Sequence, residues 1–189
     1  PKSAKATPPN PGSWVMPTAL EGALRSLYSS YEKSFSDWEE RLKDAGEPPP
    51  VMIIVSPNTF VSKLIRDWIA GYDITDGDQT RHAAGRLDLF SNVVNDQPLA
   101  RPRTILVDSR ELESGDALKP EFRKAATEEE IEAFKRAYRE ANPGADAAKL
   151  TDADILREVM NTVGKRGKLG EQVRCVVSVA MLTEGWDAN

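Results

Sequence analysis

The residue types of this 189-residue chain offer little for stand-alone catalysis. Its single histidine, His82, lies in a polar stretch with no serine or cysteine nucleophile in a recognisable elbow nearby, which favours an exposed loop histidine. Cys175 stands among valines, as is typical of an inert core thiol. There is no phosphate-binding loop of the G-x-x-x-x-G-K-[ST] type, and Gly164, Gly167 and Gly170 lack the dinucleotide-binding spacing. We therefore predict no catalytic residue and no metal ligand.

Position along the chain, rather than residue type, singles out two stretches. In an open α/β sheet, ligands bind at the carboxyl ends of the strands, where loops lead into helix N-termini whose N–H groups attract phosphate. Ser56, Asn58 and Thr59 follow an apolar run at such a point, although plain helix capping by Asn58 explains them equally well. The run 178–187 follows another strand-like segment and carries a tryptophan between a glycine and an aspartate. Core packing alone hardly explains that tryptophan.

The elements that would position these residues follow from hydrophobic spacing. Apolar residues recurring every three or four positions predict a helix from Thr18 to about Leu42, with Thr18 and Glu21 in capping-box register. The apolar stripe of this helix is predicted to consist of Leu20, Leu24, Leu27, Tyr31, Phe35, Trp38 and Leu42. Further helices are predicted after Asn58 up to Gly71, after Thr127 up to Asn142, and after Thr151. Buried-type strands are predicted at 51–55, 104–109 and 173–179, and a weak strand at 87–90. The run at 51–55 is apolar on both faces, which predicts a strand in the middle of a sheet.

Strands that alternate with helices predict a doubly wound α/β sheet. Residues 1–17 hold five prolines and are interpreted as a linker, so that one domain occupies residues 18–189. The chain does not begin with Met, and we expect it to be a piece of a longer protein.

The overall charge argues against a free-standing non-specific DNA binder. The chain has 25 Lys and Arg against 30 Asp and Glu, a formal net charge of -5. The best local excess of positive charge is the stretch 165–174, for which a solvated polar loop is the favoured interpretation. One Cys and one His cannot build a typical zinc site. The sequence contains no run of about 18 apolar residues, the length that a membrane-spanning helix needs. We expect a cytoplasmic protein without structural metal.

Longer strings of the sequence resemble a known family. MNTVGKRGKLGEQVRCVVSVAMLTEGWDAN, at 160–189, resembles the stretch that ends in motif V of superfamily two helicases, in the form found in restriction (Res) subunits of type III restriction enzymes. VMIIVSPNTFVSKLIRDWIAG, at 51–71, resembles the motif IV strand and helix, and TILVDSRELESG, at 104–115, is also similar to that group. The resemblance runs in order over residues 18–189 and is most specific in the last thirty.

The resemblance implies a partial second RecA-like helicase domain, covering motifs IV to V. The implied fold is α/β, a three-layer RecA-like (P-loop NTPase-like) domain with a mainly parallel sheet, plus the long N-terminal helix. Such a domain belongs to an ATP-dependent DNA helicase or translocase subunit of a type III restriction-modification enzyme, a hydrolase and endonuclease. ATP lies between two such domains, and the resemblance places Glu184, Gly185 and Asp187 beside it, with Asp187 accepting from the ribose hydroxyls.

The same resemblance implies DNA-backbone contacts at motif IV, from Ser56, Asn58 and Thr59. Many family members have a threonine second in motif V, where this chain has Val179, so Ser178 and backbone N–H groups are the expected phosphate contacts there.

The implied partners of the parent protein are ATP with Mg²⁺, DNA, the first RecA-like domain of the same parent chain, and a methyltransferase subunit. Neither ATP nor Mg²⁺ is expected on the fragment, because the phosphate-binding loop, the magnesium-holding acidic motif and the arginine-bearing motif lie outside it. Since phosphoryl transfer depends on those groups, the fragment alone is expected to be inactive.

The alternative from a different class is a non-catalytic α/β protein-interaction module that uses the long helix as a docking surface. The stripe of that helix distinguishes the two hypotheses. If Leu24, Tyr31 and Trp38 are buried on the domain's own sheet, the docking role loses its basis.

Overall fold

A computed structural model gives the structure of the chain and describes residues 15–108, 128–141 and 150–179. The helices of this part are α1 (Thr18–Arg41), α2 (Thr59–Ala70), α3 (Glu128–Ala141) and α4 (Asp152–Asn161), with one 3₁₀ turn at Asp88–Phe90. The strands are β1 (Met52–Ser56), β2 (Gly71–Asp76), β3 (Gln79–Ala84), β4 (Val93–Val94), β5 (Gln97–Pro98), β6 (Thr104–Asp108) and β7 (Cys175–Val179). The predicted α/β class is confirmed.

In the described part of the chain, the main sheet has three parallel strands in the order β1-β7-β6. The strand β7 thus lies between two strands that precede it in sequence, and all five of its residues are buried. In the register of the sheet, Val179 lies opposite Ser56 on one side and Asp108 on the other. The carboxyl ends of all three strands therefore meet at one edge.

Helices pack on both faces of this sheet because side chains along β7 alternate between the faces. One core joins α1 and α2 to Cys175 and Val177. The other core joins α4 to Val176 of β7 and to the neighbouring strand β6, and partly buried residues of α3 pack against this core. The central strand thus contributes to both cores.

The long helix α1 is confirmed, but its buried stripe and its cap differ from the prediction. Tyr28 belongs to the buried face and Leu27 is exposed, because the stripe follows 24, 28, 31, 35 and 38. The prediction of a capping box at Thr18 is wrong. Pro17 occupies the N-cap position and makes no side-chain hydrogen bond there, and Glu21 pairs with Arg25. For α4 the expected cap is present, with Thr151 and Asp154 forming a capping box. Thr127 lies outside the described residues.

The prediction that the strand at 51–55 lies in mid-sheet is wrong within the described residues, because β1 is an edge strand there. Its Met52 and Ile54 pack towards α1 and α2. Ile53 and Val55 point to the other face and remain 41% and 56% exposed. The run at 51–55 is apolar on both faces, but the described residues cover only one face of β1.

The segment between α2 and β6 is more structured than predicted. Residues 87–90 are not a strand. Asp88–Phe90 form a 3₁₀ turn, and Leu87 and Phe90 are buried in the core beneath α1. Before them, β2 and β3 form an antiparallel hairpin around Gly77, which has a positive φ of 58°. Because Asp76 pairs with Gln79, the two loop residues are Gly77 and Asp78. Glycine at the first position of a two-residue loop is a hairpin signal, so Gly77-Asp78 could have revealed this hairpin from the sequence.

Candidate functional site

The carboxyl edge of the sheet holds Ser56, the last residue of β1. Its side chain is only 2% exposed, and its Oγ has no hydrogen-bond partner among the described residues. An unsatisfied buried hydroxyl costs about 1–3 kcal/mol, and such groups are uncommon in native structures. The position therefore calls for a ligand or another polar partner.

Two residues further on, Asn58 begins the helix α2. Its side-chain Oδ1 accepts a hydrogen bond from the Val61 N–H at 2.9 Å, and its backbone is extended, as N-cap residues are. The capping interpretation of Asn58 is thereby confirmed. Its amide oxygen is used within the chain, and its NH₂ group is the part suited to donate to an acceptor such as phosphate. Thr59, the first residue of α2, is exposed beside it.

The electrostatics of this helix end favour an anion. A helix N-terminus carries roughly half a positive charge, which acidic residues in the first turn usually offset. The first turn of α2 contains no acidic residue, whereas α1 has Glu21 and α3 has three glutamates there. The positive end of α2 is therefore left for something outside the helix, the arrangement that binds phosphate in many proteins.

Ser178 lies at the same edge but on the other face of the sheet. It is in register with Val55 and Val107, and side chains at these positions alternate with Ser56 and Val179. Its exposed fraction is 0%. Ser56, Asn58 and Thr59 thus lie at one strand end, and Ser178 lies on the opposite face of the sheet. The role of Ser178 as a phosphate contact stays a prediction.

Glu184, Gly185 and Asp187 lie outside the described residues, so their predicted contact with a nucleotide stays a prediction. The last described residue before them is Val179, which is the register partner of Ser56.

The single histidine is placed differently from the prediction. His82 lies in β3, not in a loop, and its Nδ1 is 2.8 Å from Oδ1 of Asp73 on the paired strand. The pair links the two strands of the hairpin. Cys175 is a buried core residue as predicted, and burial raises the pKa of its thiol to about 12.

The stripe of α1 is buried on the chain's own core. Leu24 and Tyr31 share a cluster with Val177 of the central strand, and the Tyr31 hydroxyl donates to the Pro50 carbonyl at 3.0 Å. Trp38 is buried as well and donates its indole N–H to the Glu47 carbonyl. The docking surface on which the interaction-module hypothesis depended is therefore occupied.

Among the described residues, no group of three His, Cys, Asp or Glu side chains is arranged to hold a metal ion. None of the described helices is both long and apolar enough to cross a membrane. No protein-family model, no curated protein and no solved structure matches the chain.

Proposed function

We propose that the chain is part of the second RecA-like domain of an ATP-dependent DNA helicase or translocase, related to the restriction subunits of type III restriction enzymes. In this role the carboxyl edge of the sheet contacts the DNA backbone through Ser56, Asn58 and Thr59. Residues Glu184, Gly185 and Asp187 border the nucleotide, which together with Mg²⁺ supplies the phosphoryl-transfer chemistry in the parent protein.

The observation that carries the proposal is the juxtaposition of two features at one strand end. The buried Ser56 hydroxyl lacks a partner among the described residues, and the helix that follows lacks an acidic residue in its first turn. A phosphate oxygen at this point would interact with the positive end of α2, and would accept from the Ser56 hydroxyl once the residues that cover this hydroxyl move aside. A plain cap would explain Asn58 alone, and would leave the serine unexplained.

The sheet supports the proposal at a coarser level. The strands β1 and β7, which belong to the segments that resemble motif IV and motif V, are parallel neighbours, with Ser56 opposite Val179 at their carboxyl ends. Parallel α/β sheets bind ligands at this edge.

The DNA contact can be tested on this chain with two substitutions at the cap. Asn58→Asp and Asn58→Ser both supply a side-chain oxygen that caps α2, so both retain the helix. Only the aspartate adds a negative charge where the phosphate is proposed. We expect Asn58→Asp to weaken binding of a fluorescein-labelled duplex several-fold at low salt, and Asn58→Ser to change it little. Equal affinities for the two variants would contradict the proposal.

The nucleotide contact is tested by DNA-stimulated ATP hydrolysis in the longer parent protein. Asp187→Ala is expected to remove most of the stimulation, because the carboxylate is proposed to hold the ribose. Asp44→Ala, which removes an exposed carboxylate after α1, is the matched control and should leave the rate unchanged. A folded Asp187→Ala protein with full stimulated turnover would exclude the motor function of this segment.

A further inference from the structure

The connection from α4 to β7, residues 162–174, forms a loop fixed by its own hydrogen bonds. Gly164 N–H donates to the Gly170 carbonyl at 2.9 Å, and Gly170 N–H donates to Thr162 Oγ1 at 3.1 Å. Leu169 is buried and anchors the loop in the core beneath α4. A Cβ at Gly170 would lie 2.3 Å from the Val159 carbonyl oxygen, so the backbone approaches α4 too closely for any side chain there. The loop therefore has a defined shape.

This loop displays three cations, Lys165, Arg166 and Lys168, all exposed to solvent. Two carboxylates, Glu171 and Glu158, are the acidic groups described near this loop. Glu171 accepts a hydrogen bond from the Gly167 N–H at 2.8 Å, inside the loop. Burial raises the pKa of Glu158 against the opposing effect of Lys168 and Lys165.

Two arginines extend the positive charge along the amino edge of the sheet. Arg174 and Arg103 precede β7 and β6, and the Arg174 N–H donates to the Arg103 carbonyl at 2.7 Å. Burial lowers the pKa of Arg174, with a further lowering from Arg103. The Arg174 guanidinium donates to the Glu171 carbonyl, which ties this cation to the base of the loop.

The surface of the loop lacks the apolar side chains on which protein interfaces depend. None of the large hydrophobic residues exposed in the described part of the chain lies between 157 and 174. Protein–protein interfaces have apolar and aromatic anchors at their centre, whereas phosphate backbones are held by cations and polar groups alone. A fixed loop with three cations and no apolar anchor fits a phosphodiester backbone better than an acidic protein.

We propose that this basic loop is a second contact for the DNA backbone, at the amino edge of the sheet. The inference rests on the proposed function for the identity of the polymer, but not for the location of the surface. Strands of five residues separate the loop from the Ser56 site by about 15 Å, at roughly 3.3 Å per residue. The two contacts can therefore be altered independently.

The test is the salt dependence of duplex binding by this chain, measured by fluorescence anisotropy. Wild type is compared with Arg166→Glu/Lys168→Glu, and with Lys33→Glu/Arg41→Glu as the matched control on the exposed surface of α1. Both pairs change the net charge equally. We expect the loop variant to bind about ten-fold more weakly or worse, and its slope of log affinity against log salt to be shallower by about 2. The control variant should keep most of the wild-type affinity and most of the wild-type salt dependence.

Circular dichroism on each variant verifies that the fold is retained. The inference is overturned if the loop variant and the control lose affinity equally, if wild type does not bind duplex at low salt, or if polyglutamate binds as tightly with the same dependence on the loop. Asn58→Asp in the same assay separates the two proposals. If the loop variant loses affinity for duplex and Asn58→Asp does not, the result supports the basic loop and contradicts the carboxyl-edge contact. If only Asn58→Asp loses affinity, the result supports the carboxyl-edge contact and contradicts the basic loop.

Discussion

At the scale of single residues, Cys175 is the simplest probe of the core. It is the only cysteine, it is fully buried, and burial raises its pKa from 9.0 to about 12. Because only the thiolate reacts, we expect almost no labelling by iodoacetamide in the native state at mildly alkaline pH, and complete labelling in denaturant. Rapid labelling of the native protein would show that β7 opens locally. The raised pKa also means that this thiol contributes stability below pH 9, which is lost as the pH rises towards 12.

A second prediction at the residue scale concerns the capping box of α4. The Thr151 hydroxyl and N–H both donate to the Asp154 carboxylate, which lowers the pKa of Asp154 below its ordinary value. We expect Thr151→Ala to lower the free energy of unfolding by about 1 kcal/mol at neutral pH.

The pH dependence of this cap follows from the sign of the shift. A carboxylate with a lowered pKa stabilises the fold above its ordinary pKa, and the contribution is lost as the pH falls through the lowered value. The difference between wild type and Thr151→Ala should therefore shrink in acid, as measured by urea denaturation over a pH series. A difference that stays constant with pH would mean that the carboxylate contributes nothing to the cap.

At the scale of elements, β7 and β1 are both short apolar strands, but β7 is central in the described sheet and β1 is at its edge. Val177 in the centre of β7 is fully buried, whereas Val55 on the edge strand β1 is 56% exposed. We expect Val177→Ala to lower the free energy of unfolding by about 2–3 kcal/mol, and Val55→Ala by less than about 1 kcal/mol. Urea denaturation measures both. Similar losses would mean that β1 has a covered face that the described residues do not provide.

The comparison of these two strands explains which elements could be predicted from the sequence. The helices α2 and α4 and the strand β7 depend on local signals, such as caps, a terminal Gly71 and runs of valine, and they were found. The edge position of β1 depends on which strand pairs with it. Its partner β7 comes far later in the chain, so local patterns do not specify the order.

The candidate site divides in the same way. The cap at Asn58 is a local feature and was predictable. The burial of Ser56 depends on α2 folding back over β1, and the opposite orientation of Ser178 depends on sheet register. A shift of one residue in register would exchange the faces, so residue spacing alone could not decide whether the two serines meet.

At the scale of the whole molecule, the two cores share one strand. Val176 packs under α4 while Val177 packs under α1 and α2. Damage to one core therefore disturbs the strand on which the other depends. We infer that the described part of the chain unfolds as one cooperative unit.

Leu156→Ala tests this coupling, because Leu156 is buried under α4, on the face opposite α1 and α2. Truncation of a buried leucine costs about 2–5 kcal/mol, and each kcal/mol lowers Tm by roughly 2–4 °C in a chain of this size. In a Trp14→Phe/Trp186→Phe background, fluorescence reports only Trp38 and Trp68, which belong to the α1 and α2 side. We expect Leu156→Ala to lower the fluorescence midpoint and the circular-dichroism midpoint by the same amount. If fluorescence kept the unmutated midpoint while circular dichroism lost part of its signal earlier, the two faces would unfold separately, and β7 would not couple them.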